Sequence, residues 1–311
     1  MEPYISFVVV GRNDDYWHNF LYRMQRFVDS LVYLCEKHEL PSELIIVEWN
    51  PPEDKERLYK ALRFANRKFL KIRFIEVPKS VHDKVKGQRK SPLLEFYGKN
   101  MAMRRAKGKF VLITNPDIIF SDDIIKYLAK QELKENIYYR ADRYDLFVDI
   151  PEEIKTSEVE KFCEDNWTFC WSTYWGRYHR GIRVLSDLPR LTARTLMKYT
   201  KGHSYLRYHG GAQGDFALIT KESWARFRGF PEIDFLGETS VATIVTGNKL
   251  KALKERTYHQ SHGNPTAGER PLPDMEAYVK DAKKMLKEKK AIIYNNENWG
   301  LGEYDLKEKE I

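Results

Sequence analysis

Continuous apolar runs that alternate with stretches of helical periodicity constrain this chain most. Ile5-Ser6-Phe7-Val8-Val9-Val10 is apolar almost throughout and stops at Gly11-Arg12-Asn13-Asp14, the pattern of a strand buried on both faces and followed by a polar turn. Phe20, Met24, Phe27, Leu31 and Leu34 then recur at helical spacing over residues 18–38. Leu44-Ile45-Ile46-Val47 predicts a second buried strand, stopped by Pro51-Pro52. A helix through Leu58, Leu62 and Ala65 and a third strand around Ile72–Val77 follow. Ser91-Pro92 reads as a helix start, with proline at the first helical position, and that helix is expected to run to about Lys107. Gly108 ends it, and Phe110–Thr114 is the fourth strand. Strands alternating with helices at this spacing predict βαβ units, hence an α/β fold with a mostly parallel sheet.

Beyond residue 135 the periodicity loosens. Ser157 and Glu160 have the spacing of a capping box. Residues 162–212, rich in Trp, Tyr, Arg and Gly, read as loop-dominated structure. Order returns at Phe216–Ile219, with Thr220 capping a helix through Trp224 and Phe227. Residues 274–290 predict a basic amphipathic helix before a hydrophilic tail. Without a repeat or linker, the expected organisation is one domain over 1–270, split into halves 1–135 and 136–270, with a C-terminal extension over 271–311.

Composition narrows the class. The chain has 311 residues, 42% hydrophobic and 14% aromatic, enough to build a core without disulfide or metal staples and too much for a disordered chain. No run of about 18 apolar residues is present, and the N-terminus lacks the basic segment and cleavage site of a secretory signal. Cys35, Cys163 and Cys170 form an odd set without metal spacing, read as packing residues of a reduced, cytoplasmic protein. A formal net charge of +8 fits either a Lys- and Glu-rich surface or a polyanionic partner. The basic residues are spread along the chain and match no nucleic-acid motif, so nucleic acid is not expected. Together with the amphipathic C-terminal helix, the charge points to peripheral contact with an anionic membrane at the inner face.

Open α/β sheets bind ligands beyond the carboxyl ends of their strands. At the end of the fourth strand stands Asn115-Pro116-Asp117, an amide and a carboxylate two residues apart. Such a pair suits Mg²⁺ or Mn²⁺ shared with phosphate oxygens, and it is also an ordinary turn sequence. Its surroundings, Gly98-Lys99-Asn100-Met101-Ala102-Met103-Arg104-Arg105-Ala106-Lys107-Gly108 and the strand Phe110–Thr114, resemble the family-2-type GT-A glycosyltransferases, whose Asp-x-Asp motif is often written Asn-Pro-Asp. Gly210-Gly211-Ala212-Gln213-Gly214-Asp215-Phe216-Ala217-Leu218-Ile219 and Gly229-Phe230-Pro231-Glu232 resemble the acceptor-side strand and turn of that family. Gly237-Glu238-Thr239 stands where these enzymes carry Gly-Glu-Asp. The resemblance spans about residues 4–265, with Asn115 and Thr239 departing from the family's acids.

The resemblance implies a GT-A fold and transfer of a sugar from a nucleotide-sugar donor, with inversion, to a carbohydrate or lipid-linked acceptor. Asp117 would hold Mn²⁺ or Mg²⁺ against the donor diphosphate, with a late histidine, His259 or His262, as a further ligand. Glu48 would face the nucleobase, with Gly11, Arg12 and Asn13 as the opposite wall. Asn100 and Asn115 belong to the same donor-side motifs, and Lys99 and Arg104 would add fixed positive charge. Arg140 and Arg143 would grip phosphate, unless Asp142 and Asp145 simply pair with them. Glu238 is the expected base on the acceptor hydroxyl, with Asp215 second. His259 and His262 are expected in a loop. The aromatic stretch Trp167, Trp171, Tyr174, Trp175, Tyr178 and His179 suits either a sugar subsite or a core. Rival readings are a binding protein of the same fold, a sugar-nucleotide pyrophosphorylase and a basic nucleic-acid-binding module.

Overall fold

The computed structural model describes residues 1–14, 18–87, 89, 91–200, 203–208, 214–232, 239–262 and 275–311. The first half runs β1 (Ile5–Gly11), α1 (Phe20–Lys37), β2 (Ser42–Trp49), α2 (Leu58–Ala61), β3 (Leu70–Val77), α3 (Lys79–Val85), α4 (Glu95–Arg105), β4 (Phe110–Ile113), β5 (Ile118–Phe120) and α5 (Asp122–Ala129). The second adds β6 (Ile137–Leu146), α6 (Val159–Asn166), β7 (Trp167–Ser172), β8 (Gly176–His179), α7 (Leu188–Met197), β9 (Ala217–Thr220), α8 (Lys221–Arg226), α9 (Thr239–Val245), β10 (Lys249–His259), α10 (Met275–Glu288) and β11 (Glu308–Glu310).

These strands form one mixed sheet flanked by helices, in the order β11-β3-β2-β1-β4-β9-β6-β10-β5, with β7 and β8 branching from β6. Parallel pairing links β3, β2, β1 and β4, the region where apolar runs are continuous. The register Val8↔Ile45 and Val8↔Ile113 buries both faces there. Ile5, Phe7 and Val9 pack under α1 and α5, while Val8 and Val10 pack under α4. Beyond β4 the pairing changes: β9 is antiparallel to β4 and β6, β10 is parallel to β6, and β5 is antiparallel to β10. The carboxyl ends of β4, β6 and β10 therefore share one edge of the sheet with the amino end of β9. Gly108 makes the close crossing before β4 feasible, since a Cβ there would lie 2.6 Å from the Ser6 backbone nitrogen.

Several local expectations change in the folded chain. Ser91 folds onto its own turn, its hydroxyl donating to the Leu93 carbonyl, so the helix begins later, at Glu95. Glu160 is no capping-box partner of Ser157, because its carboxylate accepts the Asp122 N–H at the start of α5. The helix expected through Ala65 ends at Ala61. The supposed loop region 162–212 holds β7, β8 and α7, since Trp167–Ser172 finds a partner in β6 that local periodicity does not reveal. Thr220 caps α8 as expected, accepting the Ser223 N–H at 3.1 Å.

The C-terminal segment is part of the body rather than a free tail. α10 buries Tyr278, Ala282 and Met285, Trp299, Leu301 and Leu306 join the same core, and β11 extends the sheet beyond β3. The apolar face of α10, on which the expected membrane contact rested, is thus spent on the protein. No helix among the described residues is long and apolar enough to cross a membrane. Cys35, Cys163 and Cys170 are buried free thiols, in keeping with a packing role.

Candidate functional site

At the shared strand edge, nine polar side chains form one connected chain of contacts. Lys99, fully buried on α4, donates to Glu95 (2.5 Å) and to Asn115 Oδ1 (2.8 Å). Asn115 Nδ2 donates to one oxygen of Asp215 (2.5 Å), and Arg143 donates to the other (2.8 Å). Arg143 also binds Asp145, which lies 3.0 Å from His259 Nδ1. His259 Nε2 then faces Asp117 Oδ2 at 3.6 Å and His262 Nε2 at 3.1 Å. Strand register explains the convergence, because His259 lies opposite both Asp145 on β6 and Ile118 on β5, the residue after Asp117. His259 is the last residue of β10, not part of the expected loop.

The electrostatics of this chain are uneven. Burial drives the Asp215 carboxyl upward, but Arg143, His259 and Lys99 outweigh it and hold the pKa below the ordinary carboxylate value. Burial likewise opposes charge on Arg143, and Asp215 and Asp145 overcome it. His259 is pushed down by burial and, more strongly, up by Asp117 and the Asp145 hydrogen bond, for a net rise. Arg23 of α1 reaches Asp117 Oδ2 at 3.1 Å. Its other guanidinium nitrogen donates to the His18 carbonyl, just before α1, where His18 (φ 60°) and Asn19 (φ 53°) both occupy the left-handed region. Strain of that kind costs about 1–3 kcal/mol per residue and tends to gather at functional sites.

A divalent cation fits the cluster of Asp117, His259 and His262. Their candidate ligand atoms all lie within 4.8 Å of one another. Asp117 Oδ1 is buried with no hydrogen-bond partner among the described residues. Asp145 Oδ1 faces His259 Nδ1 at 3.0 Å, which turns Nε2 toward Asp117 and His262, the orientation that suits a ligating imidazole. Two imidazole nitrogens 3.1 Å apart need either a shared proton or a common cation. In the wider chain three cations (Arg23, Lys99, Arg143) meet four carboxylates (Glu95, Asp117, Asp145, Asp215), so one further positive charge is favourable. A cavity of about 180 Å³ opens beside His262, bordered by Tyr22, Arg23, Asp149 and Gln260.

Of the residues expected from sequence, Lys99, Asn115, Asp117, Arg143, Asp215, His259 and His262 come together. Others do not. Arg104 follows Lys99 by five positions, about 140° around a helix, and faces the C-terminal segment. There it donates to the Glu297 and Trp299 carbonyls and lies over the Trp299 ring. Asn100 ties α4 to the turn at Phe230 and Glu232. Arg140, three residues from Arg143 on a strand of period two, points to the other face and binds the Tyr138 hydroxyl. Arg12 pairs with Asp14 and the Asn50 carbonyl, and Asn13 donates to the Glu56 carbonyl. Glu48 is buried and accepts the Leu58 N–H with both oxygens, starting α2. A Cβ on Gly11 would meet the Phe20 ring at 2.8 Å. Glu238, Gly237 and Gly210–Gln213 lie outside the described residues.

Sequence reasoning missed Arg23 and Glu95 and gave Asp145 only its bland role as a partner of Arg143. Arg23 offered a signal: it sits beside Phe20, Met24 and Phe27 on the apolar face of α1, where a charge needs a buried partner. In the aromatic stretch, Trp171 lies under Arg143 and Arg177, Trp167 packs on Tyr144, and Tyr174 and Trp175 are exposed.

No protein-family profile and no curated protein sequence matches this chain. Among solved structures it is similar to a mannosyltransferase from Pyrobaculum calidifontis in complex with GDP-Man and Mn²⁺, at 14% identity and TM-score 0.42 over 86% of this chain and 59% of that one. It is also similar to residues 1–349 of TarS from S. aureus, at 15% identity and TM-score 0.41 over 84% and 60% of the two chains. A third is the catalytic domain of Drosophila β1,4-galactosyltransferase 7 in complex with xylobiose, at 8% identity and TM-score 0.37 over 89% and 79%. The chain spans about 60% of the length of the first two.

Proposed function

We propose that this protein is a metal-dependent, inverting glycosyltransferase that moves a sugar from a nucleotide-sugar donor to a hydroxyl of a glycan or lipid-linked acceptor. The observation that carries this reading is the Asp117 carboxylate, at the carboxyl end of β4, with one oxygen unpartnered among the described residues and two imidazoles facing the other. Asp117, His259 and His262 would hold Mn²⁺ or Mg²⁺. Bound there, the ion would supply charge neutralisation for the departing nucleoside diphosphate. Lys99 and Arg143 set the charge of the floor, and Asn115 orients Asp215. Asp215 has both oxygens engaged and a lowered pKa, which makes it a weak base. We therefore assign the base on the acceptor hydroxyl to Glu238, on the strength of the Gly-Glu-Thr resemblance.

The test is thermal stability of the full chain with nucleoside diphosphates and nucleotide sugars, with Mn²⁺ present and absent. A ligand at about 100 times its Kd adds roughly 2.7 kcal/mol of stability, which reads as a clear rise in Tm. A rise that requires Mn²⁺, followed by sugar transfer that ceases in Glu238→Gln, is expected. Absence of any nucleotide-dependent shift overturns the reading. One observation favours a binding protein of the same fold instead: Arg23 already neutralises Asp117. That alternative gives the thermal shift without turnover.

A further inference from the structure

The stretch from Tyr174 to Tyr199 is built inside out. A 3-10 segment, Gly181–Asp187, leads into α7, and the only buried residue in the two is Asp187, held by His179 and Arg190. Long cationic side chains help fasten α7 to the body. The Arg194 stem lies over Gly176, where an added Cβ would approach it to 3.2 Å, and Lys198 donates to the Tyr174 carbonyl. The apolar side chains face solvent instead: Ile182 is 82% exposed, Leu196 64% and Tyr199 75%, with Leu185, Leu188 and Trp175 exposed beside them. An ordinary surface helix of a globular protein has the opposite arrangement.

Soluble monomers rarely leave such a patch open, and a cation-rimmed one marks a docking surface. Charge identifies the occupant. Residues 174–200 carry six cations (Arg177, Arg180, Arg183, Arg190, Arg194, Lys198) against Asp187 alone. Of the six, Arg180, Arg183 and Arg190 are exposed, while Arg177, Arg194 and Lys198 are half-buried against the protein. Exposed aliphatic side chains, aromatic residues with polar edges and exposed arginines are the make-up of a segment that lies in the headgroup layer of an anionic bilayer. We propose that the 3-10 segment and α7 form a bilayer-contact surface, inserting Ile182, Leu185 and Leu196 among lipid chains while Arg180, Arg183 and Arg190 meet lipid phosphates. It is distinct from α10, whose apolar face is covered. The hairpin β7–β8 that carries it pairs with β6 over Arg143–Leu146, the stretch that bears Arg143 and Asp145. The proposal rests on exposure and charge and holds whether or not the site transfers a sugar.

Sedimentation of the full chain with phosphatidylcholine vesicles, with and without phosphatidylglycerol, tests it. Pelleting with the anionic vesicles is expected, weakening as salt rises. The triple substitution Ile182→Ser, Leu185→Ser, Leu196→Ser is expected to lower the bound fraction about tenfold or more with an unchanged circular dichroism spectrum. Arg183→Ser lowers it less. Anionic vesicles are also expected to shift tryptophan fluorescence to the blue in the wild type, a shift missing in Trp175→Phe. The proposal is overturned if the wild type stays in the supernatant at low salt or if the triple variant pellets equally well. It is overturned too if the patch instead joins two copies, seen as a dimer that the triple substitution dissociates and that ignores vesicles.

Discussion

The ends of β1 and β2 and the ends of β4, β6 and β10 lie on the same edge of one sheet, yet they are chemically opposite. At the first, polar groups are spent on the protein itself: Arg12 on Asp14 and Asn50, Asn13 on Glu56, and Glu48 on the start of α2. Burial without a nearby cation of comparable weight raises the Glu48 pKa to about 7. At the second, four carboxylates share three cations and two imidazoles, and an oxygen of Asp117 has no hydrogen-bond partner among the described residues. Unspent valence, and not position on the sheet edge, separates the two strand ends and makes the second the candidate site.

The sharpest break in this contrast is Asp117→Asn, which keeps shape and removes charge. The proposed transfer activity, measured as kcat/KM with Mn²⁺, is expected to fall by about 10³ or more, roughly 4 kcal/mol, with some loss of Tm because Arg23 is left without its buried carboxylate partner. An active variant would place the chemistry elsewhere on the edge. Arg143→Met comes next, because it strands Asp215 and Asp145 as buried, unpaired carboxylates. Chemical denaturation is expected to show a loss of about 3–5 kcal/mol, and a loss under 1 kcal/mol would mean that water replaces the guanidinium.

Glu48 tests the quieter end. At pH below the ordinary value of 4.5 its carboxyl is protonated in both folded and unfolded chains. As pH climbs from there to about 7, the unfolded chain ionises first, and stability falls by about 3 kcal/mol before levelling off. Glu48→Gln is expected to remove that slope from the pH profile of unfolding. Asn115→Asp follows, at about 1–3 kcal/mol, for it sets a second carboxylate 2.5 Å from Asp215. Its cost should grow with pH, and denaturation at pH 5 and 8 measures that. This clash is a physical reason for an amide rather than an acid at position 115. Arg104→Ala is expected to be the mildest, about 1 kcal/mol in stability with unchanged kcat/KM, since the side chain serves Glu297 and Trp299 carbonyls.

Much of the framework was readable before folding. Strands of continuous Val, Ile and Leu and the helical spacing of α1 follow from local periods, as does the Thr220 cap. Within the site, Asp117, Asn115 and the two histidines were legible from residue type and the family resemblance. Arg104 and Arg140 were misassigned because a nearby number does not mean a shared face, a matter of 100° per residue on α4 and alternation on β6. Arg23 stood 94 residues from Asp117, and nothing local links them.

The chain by itself determined that a twisted α/β sheet would form, with a carboxylate at the tip of its fourth strand. Helix and strand periods are properties of a few consecutive residues, so they survive without knowledge of the partner. Which charges would meet was decided only by strand order and register, which brought β6, β9 and β10 beside β4. The same holds for the amphipathic helices. Local pattern shows an apolar face over residues 274–290, while only packing decides that α10 covers it and that α7, in a stretch read as loop, leaves its apolar side chains open.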